Sequence, residues 1–493
     1  MSKERHSSEC SSVHSVSTSA DDAYEFVVKH KLDDHQINHE MGKIVTKKLD
    51  KRILTLLCGI YFLQFIDKTL LNYAAAMGIK KNLVGNQFAN LSTIFNGAYI
   101  FGIPIVTYCL QKYSLSRTLG SFIFCWGIVV ACHSACKTYA ELMVVRTLLG
   151  IFESSSAVSL IIISGMYYSK PQQAARMGIW SVMAGAGTIV GGLLSFGFQH
   201  VKTKNFVSWQ ILFLFMGVIT ILFGILVIFL LPDNVHQAKF LNEQEQAYVL
   251  SIVKINQTGT KSTKFKKHQI KELLFKDKFT WLYFLLTVTS QIVTGAIGTF
   301  SVSITLTFGF SSYESALLQI PVGVLIIIII LTASQLVSRY GHITLILTSM
   351  FIPSIIGAIV LLCSPSRVGN LLAMYLLYSG SSCITLIYAW ISANTAGTSK
   401  KFFRTGLSMI AFSIGCIIGP QLFQAYSFPH YRPAKLVILI TQILCIPLTL
   451  YIGYLAKQEN LDRDLQSQTH TMPENYQFLD MTDIENKNFR YTY

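Results

Sequence analysis

The chain has 493 residues, of which 52% are hydrophobic and 13% charged, with 40 Lys+Arg against 25 Asp+Glu and a formal net charge of +15. Soluble domains carry about 25% charged residues. About half that value, with a mean hydropathy of +0.47, excludes an ordinary soluble enzyme, a disordered scaffold and a small secreted disulfide protein. The basic excess does not point to nucleic acid, because Lys and Arg punctuate apolar spans and form no continuous face.

Residues 1–42 form a polar tail with a serine-rich opening, and no apolar h-region precedes Ile53, so no signal peptide is visible and the tail reads as disordered. Six apolar spans follow near 53–76, 88–110, 118–136, 140–165, 177–199 and 209–231, making an N-terminal bundle over 43–231. A hydrophilic central loop occupies 232–278. Six more spans, near 279–300, 315–337, 343–363, 370–392, 403–424 and 436–456, make a second bundle over 279–456, and 457–493 reads as another solvated tail. Most spans supply the roughly 20 apolar residues that cross a hydrocarbon core of about 30 Å. The ten cysteines include Cys58, Cys109, Cys125, Cys383, Cys416 and Cys445 within apolar stretches, where they read as small buried hydrophobes. Even-numbered loops hold 17 basic residues and odd-numbered loops 8, with Lys43, Lys47, Lys48, Lys51 and Arg52 just before span 1. The positive-inside rule therefore puts both termini in the cytoplasm, the central loop and the first cluster deciding the matter.

The two bundles share an internal repeat. Before span 5 stands Arg176-Met-Gly178, followed by Gly187, Gly191 and Gly192; before span 11 stands Arg404-Thr-Gly406, followed by Gly415, Gly419 and Pro420. The copies lie 228 residues apart and their offsets from arginine match. Arg117 in the 2–3 turn and Arg339 in the 8–9 turn recur in the same sense. Gly187, Gly191, Gly415 and Gly419 are expected to let spans 5 and 11 pack tightly against the opposite half, and Pro420 to permit a bend. Arg117, Arg176 and Arg404 are the candidate gating residues.

Four charges interrupt the spans of the first half: Asp67, Lys68, Arg146 and Glu153. Ionisable groups facing lipid are expensive, so these should face the bundle interior or a wet cavity. Arg146 and Glu153 are seven apart, nearly the same helix face and about 10.5 Å along the axis. Desolvation favours the neutral form of a carboxyl and a nearby cation its ionised form, so Glu153, with Asp67 as second choice, is the candidate for proton coupling. Its alternative role is to satisfy an arginine. Arg146 and Lys68 are candidates for anion binding, Arg146 alternatively for a gating clamp and Lys68 for an ion pair with span 4 or 5. Gln64, Asn72, Gln291, Tyr388 and Trp390 could complete a substrate cavity, although aromatics at such positions are more often packing. Cys132-His133-x-x-Cys136 fits no closed zinc spacing, and no Walker-type loop suggests ATP, so no metal or cofactor is expected. Asn256-Gln-Thr258 is a glycosylation sequon in the expected cytoplasmic loop, where it would stay unmodified.

Five stretches together carry a resemblance: Asp67-Lys68-Thr-Leu-Leu-Asn72-Tyr-Ala; Arg146-Thr-Leu-Leu-Gly150-Ile-Phe-Glu153; Tyr167-Tyr-Ser-Lys-Pro171-Gln-Gln-Ala-Ala-Arg176; Leu231-Pro-Asp-Asn234 leading to Glu243-Gln-Glu245; and Gly415-Cys-Ile-Ile-Gly419-Pro420-Gln421. Over about residues 43–456 the chain resembles the fungal allantoate-permease-like family of anion:cation symporters, within the major facilitator superfamily. The resemblance implies an all-α polytopic membrane protein with the major facilitator fold, its 12 transmembrane helices in two six-helix bundles related as parallel repeats. It further implies a monomeric, non-enzymatic transporter in the lipid bilayer, taking up a small organic anion such as a vitamin carboxylate or allantoate-like ureide with protons. The plasma membrane is the expected location, with an internal membrane as the alternative. The helix of Arg146 and Glu153 matches the family's fourth-helix motif, and Arg176 and Arg404 match its basic positions at the starts of helices 5 and 11. The chain departs from the wider pattern where the 2–3 loop lacks an acidic residue and where Ser208-Trp209-Gln210 lacks an arginine. Competing readings are a proton-independent facilitator or exporter of a neutral solute, and a transporter-like nutrient sensor.

Overall fold

The computed structural model describes residues 39–201, 206–255, 266–363, 366–423, 431–466 and 481–493. The serine-rich opening and the Asn256 sequon lie outside them. Among the described residues, twelve helices are long and apolar enough to cross a membrane: α1 Met41–Ala76, α2 Gln87–Leu110, α3 Leu115–Ala135, α4 Tyr139–Tyr167, α5 Ala175–Gln199, α6 Ser208–Leu230, α7 Lys278–Thr307, α8 Ser312–Tyr340, α9 Ile343–Cys363, α10 Arg367–Ala393, α11 Ser399–Gln421 and α12 Arg432–Leu465. Two short helices, Glu243–Ile255 and Lys267–Phe275, lie between the halves in sequence.

Burial runs opposite to hydropathy. The most apolar window, in α6, has mean hydropathy 3.0 and is 39% buried, whereas that of α7 has 1.4 and is 78% buried. Lipid is as apolar as leucine, so the apolar faces turn outward and the polar side chains turn toward one another. Phe229, Leu222 and Leu345 are accordingly exposed, while Gln291, Ser290 and Thr287 of α7 are buried.

Four of the repeated glycines, Gly187, Gly191, Gly415 and Gly419, act within their own half. A Cβ at Gly187 or Gly191 would meet Phe62, Ile66 or Tyr73 of α1, and one at Gly415 or Gly419 would meet Val288, Gln291, Ile292 or Ala296 of α7. Close packing across the halves falls instead to other glycines: Gly185 of α5 and Gly323 of α8 each lie against the other's carbonyl, Gly178 meets Ser334 and Gly192 the Ala316 carbonyl of α8, and Gly406 of α11 meets Ile103 of α2. Pro420 stands in the last turn of a helix that ends at Gln421, so it marks an end and not a central bend.

The acidic group missing from the 2–3 loop is supplied from elsewhere. Asp233, just after α6, accepts from Ser114 Oγ and the Ser116 amide at 2.7 Å each, capping α3. Gln210 Oε1 accepts from the Val207 amide at 3.0 Å and caps α6. Arg117 is exposed at the start of α3.

The C-terminal segment differs most from expectation. The last helix continues to Gln466, and residues 481–493 fold back onto the second half instead of forming a solvated tail. Thr482, Asp483, Phe489 and Tyr491 are buried there. The Tyr491 ring packs at a tilt against Phe279, centroids 4.9 Å apart, and its hydroxyl donates to Asp483 Oδ2 at 2.9 Å. Arg463 donates to the Phe489 carbonyl and to Tyr491 Oη.

Candidate substrate and coupling site

A cavity of about 140 Å3 lies between the halves. That is below the roughly 300–1,000 Å3 of drug-sized ligand sites and suits a small metabolite. The first half contributes Gln64, Lys68 and Arg146 with the rings of Tyr61, Phe65 and Phe95. The second contributes Thr294, Thr299, Ser381, Ser382 and Thr385, with Phe412 and Cys416. Its charged lining thus comes from one half and its hydroxyl lining mainly from the other.

The helices around the cavity are interrupted beside it: α4 at Ser154, α5 at Val182 and α10 at Cys383. In α4 the cause is local. Ser154, Ser155 and Ser156 each donate a hydroxyl to the carbonyl three residues back, at 2.7, 3.0 and 2.7 Å, competing with the helix's own bonds directly after Glu153. Irregular backbone at membrane depth is tolerated where it lines a cavity.

Lys68 of α1 reaches Glu153 of α4, Nζ to Oε1 at 3.8 Å, so the ion-pair alternative for Lys68 describes the resting geometry. The ammonium lies 5.2 Å from the centre of the Tyr99 ring and 5.0 Å from that of Phe412, so it is held between rings from opposite halves. Arg146 places its guanidinium 5.8 Å from the Phe213 ring centre, and His133 stacks on the same ring at 4.8 Å. His133 Nδ1 faces the Val129 carbonyl at 2.9 Å, which gives that histidine a packing role. Asp67 is buried, with Arg146, Glu153 and the Trp126 indole within electrostatic reach. Among the described residues no hydrogen bond reaches either carboxylate oxygen of Asp67 or Glu153, either polar atom of the Gln64 amide, or Nε and Nη2 of Arg146. Buried polar groups are ordinarily satisfied. Much of the unmet hydrogen-bonding capacity of the described residues thus falls on four side chains in or beside the cavity.

Four further candidates are not among the residues lining this cavity. Asn72 donates to Ser301 Oγ at 2.7 Å and accepts from the Val302 amide at 3.2 Å, tying α1 to α7 away from the cavity. Gln291 is buried against Gly415 in the α7–α11 contact. Tyr388 donates to Met409 Sδ at 3.4 Å. Trp390 is a correction: its Nε1 donates to the Thr492 carbonyl at 2.8 Å and its ring packs edge-on against Tyr283, so it holds the C-terminal segment. The rings around Lys68 and Arg146, namely Tyr99, Phe412 and Phe213, carry no distinguishing signal in the sequence because aromatics are common in such helices. The Ser154-Ser155-Ser156 run after an intramembrane glutamate was a legible signal.

The arginines of the repeat each find an aspartate in their own half. Arg176 pairs with Asp50 at 3.0 Å, where α1 makes a wider turn over Asp50–Leu54. Arg404 pairs with Asp277 at 3.0 Å. Lys400 joins the second cluster, reaching Glu272, Asp277 and Asp483 at 3.0, 2.9 and 2.8 Å. Burial alone would raise the Asp277 carboxyl, but Arg404 and Lys400 hold it below the usual carboxylate range.

Residues 57–420 match the family model described as Major Facilitator Superfamily. The chain is 58% identical to the thiamine pathway transporter THI73 of Saccharomyces cerevisiae, the match covering 92% of this chain and 87% of that one. It is 32% identical to the allantoate permease of the same yeast, over 97% of this chain and 91% of that one. Among solved structures it resembles the proton:xylose symporter XylE, with TM-score 0.64 and 14% identity over 81% of this chain and 94% of that one. It also resembles the human organic anion transporter MFSD10, with TM-score 0.60 and 12% identity over 81% and 99%. At those identities the structures speak to the fold alone. The chain belongs to the Major Facilitator Superfamily, in its fungal allantoate-permease-like family of multi-pass membrane transporters.

Proposed function

We propose that this transporter takes up a small organic anion together with protons, across the plasma membrane, with both termini cytoplasmic. The observation that carries the reading is the loosely met charge cluster: Lys68 and Arg146 face the cavity while Glu153 answers Lys68 at 3.8 Å with no hydrogen bond to either oxygen. An ion pair at that distance exchanges partners easily. A substrate carboxylate arriving at Lys68 and Arg146 competes with Glu153, and Glu153, deprived of its cation in a dry site, takes up a proton. With substrate and proton both aboard, the cluster holds less unpaired charge, and the two halves can rock about it to open on the other side. One proton with one monovalent anion carries no net charge and draws on the pH gradient alone. Excess positive charge would add about 2.3 kcal/mol per elementary charge per 100 mV.

Glu153→Gln tests the coupling. The expected result is loss of acid-driven accumulation with substrate exchange retained; intact acid-driven accumulation sinks the role of Glu153. A second reading, in which the same cavity takes a compound of the thiamine pathway, is favoured by the 58% identical relative's name and by the rings of Tyr61, Phe65, Phe95 and Phe412, which offer stacking faces. Competition of labelled small carboxylates against thiamine-pathway compounds, in cells expressing the chain at varied pH and with a protonophore, separates the two readings and also tests the proton-independent one.

A further inference from the structure

Hydrogen bonds that cross between the halves gather at the end of the molecule where α1 and α7 finish. Asn72 holds Ser301 there, Ser92 and Thr299 share a hydrogen bond at 2.9 Å, and Gln421 donates to Thr93 Oγ1 at 2.7 Å. One member of this seam is charged. Lys80, in the turn Ile79–Asn82 between α1 and α2, donates from Nζ to Ser303 Oγ of α7 at 2.7 Å. The same ammonium lies 4.4 Å from the centre of the Phe88 ring and 5.3 Å from that of Phe300. The two rings meet edge-on at 5.6 Å, and Phe300 stacks in turn on Phe423 at 5.3 Å.

We infer that Lys80 is a gating residue of the transport cycle, a latch that holds this end of the seam shut and releases when the halves part. The ownership of its contacts carries the inference. Phe88 belongs to the first half, as Lys80 does, whereas Ser303 and Phe300 belong to the second. When the halves separate as bodies, Lys80 keeps Phe88 and forfeits Ser303 and the face of Phe300. Only contacts that differ between two states shift the balance between them, so those two act as the latch and Phe88 acts as its mount. Burial pulls the Lys80 ammonium down to about 8, which leaves it charged at neutral pH and able to attract both rings. On opening, the ammonium regains water. Release is therefore cheap, as a step repeated in every cycle requires. The inference rests on the chain being a two-bundle transporter and not on which substrate or ion it carries.

Cys416 of α11 lines the cavity beneath the seam and serves as reporter. In the full-length chain with its other nine cysteines replaced, a membrane-impermeant thiol reagent is applied to each side of sealed vesicles in turn. Lys80→Met removes the charge and keeps the stem over Phe88; it is expected to speed modification of Cys416 from the seam side at least ten-fold. Ser303→Ala is expected to give a smaller acceleration, and Lys80→Arg, which keeps a cation between the rings, a rate close to the parent. Using both vesicle orientations means that a reversed topology appears as the same acceleration from the other side. Equal rates in Lys80→Met and the parent, at equal thermal stability, overturn the inference. Should Lys80→Met fail to fold, an unchanged rate in Ser303→Ala overturns it instead.

Discussion

Arg176 and Arg404 occupy equivalent places 228 residues apart, and their partners Asp50 and Asp277 stand 227 apart, so the repeat extends to the salt bridge itself. The surroundings differ. In the first half the two side chains are 19% and 32% exposed, while in the second they are 2% and 1% exposed. Residues 481–493 and the helix Lys267–Phe275 make the difference, adding Asp483 and Glu272 around Lys400 and covering the pair. One motif thus yields a partly exposed surface contact in one half, and in the other a sealed network that joins the start of α7, the end of α10 and the start of α11. What surrounds an ion pair decides what it is worth.

Four measurements bear on that contrast. The largest effect is expected from Arg404→Ala, which leaves Asp277 short of a cation in a dry site and should cost about 3–5 kcal/mol. It should appear as a large drop in the thermal unfolding temperature of the purified transporter. Asp483→Asn comes next, at about 1–3 kcal/mol, because Lys400 retains Glu272 and Asp277; protease accessibility of the last 13 residues should rise with it. Arg176→Ala should cost only about 0–1 kcal/mol, and a loss equal to that of Arg404→Ala would erase the distinction between the halves. The smallest effect concerns pH. Asp277 titrates lower in the folded protein than in the unfolded chain, so its stabilisation is complete above the ordinary aspartate value of about 3.9 and fades as pH falls through the lower folded value. Unfolding temperature should therefore show no contribution from Asp277 between pH 7 and 5. A decline over that window that vanishes in Asp277→Asn would contradict the assignment.

Much of the fold was legible from hydropathy, because a segment that crosses lipid must be long and apolar whatever it later packs against. All twelve spans were, and so was the arginine–glycine repeat. The candidate site was legible where a charge interrupted an apolar helix: Asp67, Lys68, Arg146 and Glu153 gather around or beside the cavity. Neutral candidates were not. Asn72 and Gln64 are both amides of α1, yet one ties the seam and the other lines the cavity. Likewise, glycine spacing indicates close approach without naming the neighbour. Gly187 meets α1, while Gly185, two residues earlier and turned to another face, meets α8.

The charged fraction of 13% and the positions of its exceptions determine by themselves that this is a bilayer protein with its ionisable groups reserved for special places. Desolvation is severe enough in lipid that composition alone exposes them. Only the tertiary structure decided which of those groups meet: Lys68 with Glu153, Arg404 and Lys400 with Asp277, and Lys80 across the seam with Ser303 and Phe300. The same holds for the final residues, whose polarity predicts solvent but whose Asp483, Phe489 and Tyr491 are buried against the second half. A polar segment stays in water unless partners for its charges and rings are already in place, and those partners lie on helices tens to hundreds of residues away in sequence.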